Sequence, residues 1–114
     1  MLNIFSKQAN RFWIIGGEQV RSDLIFITGA HGFLGRHVVR AFRQDGVELL
    51  TPSRAELDLT RSDDVLAYVE AHRPTHLVHL ADACGGIGAN VEQPAHFLQA
   101  NTVMGLNLLE AARL

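Results

Sequence analysis

The stretch Thr28-Gly29-Ala30-His31-Gly32-Phe33-Leu34-Gly35 decides how the rest of this 114-residue chain reads. It follows the apolar run Leu24-Ile25-Phe26-Ile27 and leads into a segment whose apolar members Phe33, Leu34, Val38, Val39 and Phe42 recur at helical period. An apolar run ended by glycine predicts a strand buried on both faces, and the periodic segment predicts a helix over residues 33–44 with those five side chains as its buried stripe. Between strand and helix, three glycines stand at Gly-x-x-Gly-x-x-Gly spacing. In that context Gly29 permits a tight turn, Gly32 lets the backbone approach a pyrophosphate, and Gly35 lets the helix lie close on the sheet, with the first helical amides facing the phosphates. Gly29, Ala30, His31, Gly32, Phe33, Leu34 and Gly35 are therefore candidate cofactor-binding residues. The competing reading is that the glycines serve only a turn. His31 is read as facing solvent or phosphate, because no second ligand accompanies it to make a metal site.

Outward from this loop, short apolar runs alternate with amphipathic stretches, which predicts βα units on a parallel sheet, an α/β three-layer Rossmann-like fold. Asp45-Gly46 ends the helix, with Gly46 suited to a left-handed position, and residues 47–51 predict a second strand stopped by Pro52. Leu57-Asp58-Leu59 predicts a brief third strand. The next helix has Thr60 or Ser62 as its cap, Asp63 and Asp64 at its positive end, Val65, Leu66 and Val69 as its buried stripe, and His72-Arg73-Pro74 as its close. A fourth strand is expected over residues 75–81, a glycine-containing loop over 82–93, and a last helix from Pro94. That helix is apolar on more than one side, through Val103, Met104, Leu106, Leu108 and Leu109, which implies a second partner such as another subunit. Residues 1–22 read as a poorly ordered extension in which only Trp13-Ile14-Ile15 is expected to be buried.

Composition narrows the function classes. Ten Lys and Arg against twelve Asp and Glu give a net charge of −2, so there is no basic footprint for nucleic acid or an anionic membrane surface. Hydrophobic residues make up 47% of the chain, which fits one globular domain, yet the longest apolar runs are far too short to span a bilayer. The single cysteine, Cys84, has no partner for an internal disulfide or a thiolate zinc site; a reducing, cytoplasmic setting is expected, with Cys84 as a small buried thiol.

Cofactor type is read at the end of the second strand, where an Asp or Glu would accept hydrogen bonds from the adenosine ribose of NAD. Here stand Ser53 and Arg54, the latter 19 positions after Gly35; the pair suits a 2′-phosphate and favours NADP over NAD. Arg54 could instead pair with Glu56 or be solvated, and Asp58 could meet the adenine edge or cap the following helix.

These residues resemble the extended short-chain dehydrogenase/reductases, the NAD-dependent epimerase/dehydratase family, over residues 24–114. The resemblance rests on the loop from Thr28 to Gly35, on Arg54-Ala55-Glu56-Leu57-Asp58-Leu59 and on His79-Leu80-Ala81. It extends to Gly85-Gly86-Ile87-Gly88-Ala89-Asn90, which points to the GDP-L-fucose synthase branch, and to Pro94, Phe97, Asn101, Gly105 and Leu109-Glu110-Ala111-Ala112. It implies strand order 3-2-1-4, pyrophosphate at Gly29 to Gly35, the adenosine end at Arg54 to Leu59 including Asp58, Leu80 and Ala81 along the cofactor, and Asn101 near its ribose. It further implies an NADP-dependent epimerase/reductase acting on a nucleotide sugar, with the final helix helping to form a homodimer. Asp82 and Cys84 depart from the small or apolar residues usual in the family, and a carboxylate facing the phosphates would repel them. The family's catalytic Ser or Thr and its Tyr-x-x-x-Lys lie beyond these residues: the one tyrosine, Tyr68, is followed four places on by His72. The expectation is thus an N-terminal cofactor-binding part without catalytic or metal-ligating residues of its own. The alternatives are a non-catalytic NAD(P)-binding module or a nonfunctional remnant whose last strand is an open edge.

Overall fold

The computed structural model describes residues 12–15 and 18–114, with side chains from residue 22 onward. In chain order its elements are β1 (Phe12–Ile15), β2 (Glu18–Arg21), β3 (Leu24–Thr28), α1 (Phe33–Gln44), β4 (Glu48–Leu50), α2 (Ser62–His72), β5 (His76–His79), α3 (Ile87–Glu92) and α4 (Pro94–Arg113). β3 is buried along its whole length because it is the middle strand of a parallel sheet, order β4-β3-β5, with helices on both faces. Ile25 stands opposite Leu49 on one side and His76 on the other.

Alternation along β3 divides the core in two. Ile25 and Ile27 join Ala30 and Val39 beneath α1, with Val38, Phe42, Leu49 and Val78 packed around them. Phe26 points to the opposite face, where Leu57, Leu59, Val65 of α2 and Met104, Leu108 and Ala111 of α4 close over it. Full burial of a side chain such as Phe26 is worth about 1.5–3 kcal/mol, and the three layers exist to supply that burial on both sides.

The observed order reproduces three of the four strands expected from sequence, but Leu57-Asp58-Leu59 is not a strand. Its backbone is satisfied locally: the Leu57 amide donates to the Ser53 carbonyl at 3.0 Å, and the Asp58 carboxylate accepts the Thr60 amide at 3.0 Å and the Thr60 hydroxyl at 2.7 Å. The alternation seen in sequence is real in burial, since both leucines enter the core, but it belongs to a turn segment. Phe33 and Leu34 also depart from the expected stripe of α1. They are 78% and 57% exposed, and the face that meets the sheet is Gly35, Val38, Val39 and Phe42. The helix starts above the ends of the strands, so its first two side chains overhang the sheet.

α2 begins at Ser62 with Arg61 in the cap position and no side-chain cap, so neither Thr60 nor Ser62 caps it; Arg61 instead pairs with Asp64 at 2.6 Å. The loop expected at 82–93 contains the short helix α3. β1 and β2 pair antiparallel as a separate ribbon, Trp13 opposite Val20, within the segment read from sequence as an extension over 1–22. Residues 1–11 and 16–17, and the expected burial of Trp13-Ile14-Ile15, lie outside the described residues.

Candidate cofactor-binding site

At the carboxyl end of β3 the chain turns through Gly29, whose φ of +67° belongs to the left-handed region open chiefly to glycine. A Cβ there would lie 2.5 Å from the Ala81 nitrogen and the Leu80 carbonyl carbon, so the loop rests directly on the backbone that follows β5. Gly35 is held still more tightly: a Cβ would overlap the Gly29 carbonyl oxygen and come within 2.8 Å of the Ala30 backbone. Gly32 donates to the Gly29 carbonyl at 3.0 Å and caps α1 without any side-chain hydrogen bond. The amides of Phe33, Leu34 and Gly35, which have no acceptor within the helix, thus open toward the loop at the positive end of the helix dipole. The glycines let loop, helix and the backbone after β5 approach within backbone contact, and the free amides left at the cradle suit a pyrophosphate.

Beside the cradle, Thr28 is buried and its hydroxyl is shared three ways. It accepts the Leu80 amide at 3.2 Å and the Ala81 amide at 3.3 Å, and meets His79 Nδ1 at 2.7 Å. With two backbone donors on the oxygen, the hydroxyl proton is free for His79 Nδ1, which then accepts. Burial pushes the His79 pKa down, consistent with that neutral imidazole. Leu80 and Ala81 are consequently fixed against the glycine loop.

Next to the end of β4, His31 is exposed and its Nε2 lies 3.2 Å from the Thr51 carbonyl, tying the glycine loop to the residue after that strand. Ser53 does not stand open. Its amide and its hydroxyl both donate to the Glu56 carboxylate at 2.7 Å, and these bonds hold the Glu56 pKa below the usual carboxylate value. Glu56 therefore pairs with Ser53 and not with Arg54, which is exposed and makes no ion pair among the described residues. Asp58 neither caps α2 nor stands free: the Thr60 hydroxyl and amide occupy it and lower its pKa, with a smaller contribution from the charge of Arg54. Leu59 lies in the core beneath this segment.

Asn101 of α4 uses both ends of its amide on one residue, accepting the Ala83 N–H at 2.7 Å and donating to the Ala83 carbonyl at 3.0 Å. Its side chain thus pins the loop after β5. In that loop Asp82 is exposed and holds the Cys84 thiol, whose pKa it raises, first through a hydrogen bond and then through its charge. Cys84 is exposed, contrary to the buried thiol expected from a lone cysteine, because the loop leaves the sheet just before it. Tyr68 packs on Phe26 and stacks on His72 at 4.1 Å, away from the glycine loop. No cluster able to hold a metal ion occurs among the described residues.

Sequence reading missed the most basic feature nearby. Arg36, Arg40 and Arg43 of α1 line a groove of about 590 Å³ together with Ala30, His31 and Thr51. Their spacing, i, i+4 and i+7, was the available signal.

Residues 25–114 match the model of the NAD dependent epimerase/dehydratase family. The chain is 39% identical over 89 residues to the GDP-L-colitose synthase of Yersinia pseudotuberculosis, covering 78% of this chain and 29% of that protein. It is 36% identical over 85 residues to the GDP-L-fucose synthase of Azorhizobium caulinodans, covering 75% of this chain and 27% of that one. Among solved structures it is similar to the GDP-mannoheptose C4 reductase from Campylobacter jejuni with NADP bound, at TM-score 0.75 and 27% identity over 80% of this chain and 29% of the reductase. The chain thus spans under a third of the length of these relatives. With a glycine cradle on a parallel sheet and a family match over most of its length, the chain belongs to the NAD dependent epimerase/dehydratase family.

Proposed function

We propose that residues 24–114 are the dinucleotide-binding part of an NADP-dependent reductase or epimerase/reductase of GDP-linked keto sugars. The observation that carries this reading is the loop of Gly29, Gly32 and Gly35, packed backbone to backbone so that the uncapped first amides of α1 stand open at its end, where an anion with several oxygens would satisfy them. The relatives supply the substrate class, since the two synthases and the heptose reductase all carry GDP-sugar names. NADP would supply a hydride when bound. The residues of this chain would bind and orient it: Gly29 to Gly35 at the pyrophosphate, the segment from Ser53 to Leu59 toward the adenosine, Leu80 and Ala81 along its length, and Asn101 holding the loop that flanks it. Tyr68 packs on Phe26 and is followed four places on by His72, so it is not part of a Tyr-x-x-x-Lys pair. These 114 residues are therefore expected to bind the cofactor without turning over a keto sugar.

Two further parts of the reading rest on specific features. The outer face of α4 leaves Leu98, Leu106 and Leu109 59–71% exposed, which supports a homodimer through this helix. A cytoplasmic setting agrees with the free cysteine, and no helix of the described residues is long and apolar enough to cross a membrane.

The test is a titration of the purified chain with NADPH, followed by reduced-cofactor fluorescence, and an assay of NADPH oxidation with a GDP-4-keto-6-deoxyhexose. Saturable binding without oxidation agrees with the proposal. Absence of binding refutes it, and oxidation by these residues alone refutes the assignment of roles.

A further inference from the structure

Resting on the dinucleotide reading, we infer that His79 is a positioning residue for the cofactor: its neutral imidazole holds Ala81 through the Thr28 hydroxyl, and protonation of the ring weakens NADPH binding. A chain of contacts leads from the open edge of the sheet to the glycine loop. His79 ends β5, the outer strand of the order β4-β3-β5, and is exposed there, so protons reach the ring from water. Its Nδ1 faces inward, 2.7 Å from Oγ1 of the buried Thr28, its partner in register on β3. That oxygen accepts the Leu80 amide at 3.2 Å and the Ala81 amide at 3.3 Å, which occupies both of its lone pairs. The hydroxyl proton then goes to Nδ1, and the neutral ring carries its own proton on Nε2.

Charging the ring therefore adds a proton at Nδ1, the atom that faces Thr28. Three donors then converge on an oxygen with two lone pairs, and the hydroxyl proton loses its acceptor. Leu80 keeps a second acceptor, the Thr28 carbonyl at 3.2 Å, so the loss falls on Ala81. The Ala81 nitrogen would lie 2.5 Å from a Cβ on Gly29, so its release shifts the surface on which the glycine loop rests. The neighbouring ionisable groups are engaged elsewhere. β3 carries none, His76 lies 3.9 Å from Asp23, and Asp82 holds Cys84. Of the helices against the sheet, α1 turns Arg36, Arg40 and Arg43 to its own groove, α2 turns Tyr68 to Phe26 and His72 and pairs Asp64 with Arg61, and α4 pairs Glu110 with Arg113. Desolvation of the side facing Thr28 is what lowers the His79 pKa, which keeps the ring neutral near pH 7.

The experiment measures NADPH affinity of the full chain by reduced-cofactor fluorescence from pH 8 to pH 5, with circular dichroism confirming the fold at each pH. Wild type is compared with His79→Asn, Thr28→Val and His76→Gln. Asn places its side-chain oxygen where Nδ1 stands, accepts from Thr28 and does not titrate. Relative to His79→Asn, wild type is expected to lose about threefold or more in affinity over this range, as one hydrogen bond is given up. Titration of the cofactor's own phosphate is common to every variant and cancels in that ratio. Thr28→Val is expected to bind weakly throughout, with the pH dependence of His79→Asn, and His76→Gln, at the exposed far end of β5, to follow wild type. The wild-type ring gives a second readout that does not depend on any variant folding: by linkage, NADPH should lower the His79 pKa followed through its C2 proton in NMR. Equal pH dependence in wild type and His79→Asn overturns the inference, as does an imidazole pKa that NADPH leaves unmoved. A flattened profile in His76→Gln also overturns it and assigns the titration to that ring. A wild-type chain that binds no NADPH at pH 8 overturns the dinucleotide reading itself, a pattern distinct from every outcome that turns on pH.

Discussion

Gly35 lies so close to the carbonyl oxygen of Gly29 that the two backbones touch with no room for a side chain between helix and loop. The contact fixes how near α1 sits to the sheet, and with it where the first helical amides point. Gly35→Ala is therefore expected to destabilise the fold by at least about 2 kcal/mol, because the obstructing atoms are backbone and cannot rotate away. A urea titration followed by circular dichroism reads this directly. Gly32→Ala, whose Cβ would sit 3.3 Å from the same oxygen, is expected to fold with a much smaller loss and to weaken NADPH binding instead.

Asn101 and Ala83 predict a second effect. Asn101→Leu leaves the partly buried amide and carbonyl of Ala83 without partners, at a cost of about 2–3 kcal/mol, and releases the loop after β5. Hydrogen exchange should then rise at residues 82–86 while the β3 amides stay protected. Asn101→Asp keeps the acceptor for the Ala83 amide and loses only the donor, so its effect should be intermediate.

Thr28→Val keeps the shape of the side chain and removes the oxygen on which the Leu80 and Ala81 amides converge. Leu80 keeps a bond to the Thr28 carbonyl at 3.2 Å, so the loss falls chiefly on Ala81 and His79. A destabilisation of about 1–2 kcal/mol is expected in thermal melts. Wild-type stability in the variant would show that the shared hydroxyl is energetically idle.

The pH dependence follows from the sign of the His79 shift. Burial lowers its pKa from the ordinary 6.5, so between that value and the folded pKa the unfolded chain binds more protons than the folded one. Stability contributed by the neutral imidazole is full above about pH 6.5 and is lost as pH falls through this window. The lowered carboxylates Glu56 and Asp58 act in the same direction in a separate window, below their ordinary 4.5 and 3.8. Melting temperatures measured from pH 8 to 5 should decline in wild type, and the decline should flatten in His79→Gln. An unchanged slope in that variant would place the titrating group elsewhere.

Much of this architecture was legible because its signals are local. The glycine spacing, the apolar run of β3, Gly46 at φ +73° and Pro94 at the start of α4 each constrain the backbone by themselves, and each stands where it was read. Leu57 and Leu59 misled because a buried turn and a short strand bury alternate residues alike; only the bonds from Asp58 to Thr60 tell them apart. Phe33 and Leu34 carry the right period for a buried stripe, but period does not say where the sheet beneath a helix ends. Ser53, Arg54 and Glu56 lie within four positions of one another, so sequence could not say which cation or donor Glu56 would choose. Asn101 was placed near the cofactor by family resemblance, and its hold on Ala83 depends on a tertiary contact across 18 residues that no local pattern encodes.

The most direct test of the central claim is a two-dimensional amide NMR titration of the chain with NADPH, reading the signals of Gly32, Phe33, Leu34 and Gly35 against the rest of the backbone. The cradle predicts that these amides shift first and farthest, together with those of Leu80 and Ala81. Saturable binding that leaves residues 32–35 unmoved, or no binding at all, would contradict the assignment of the glycine loop to the pyrophosphate.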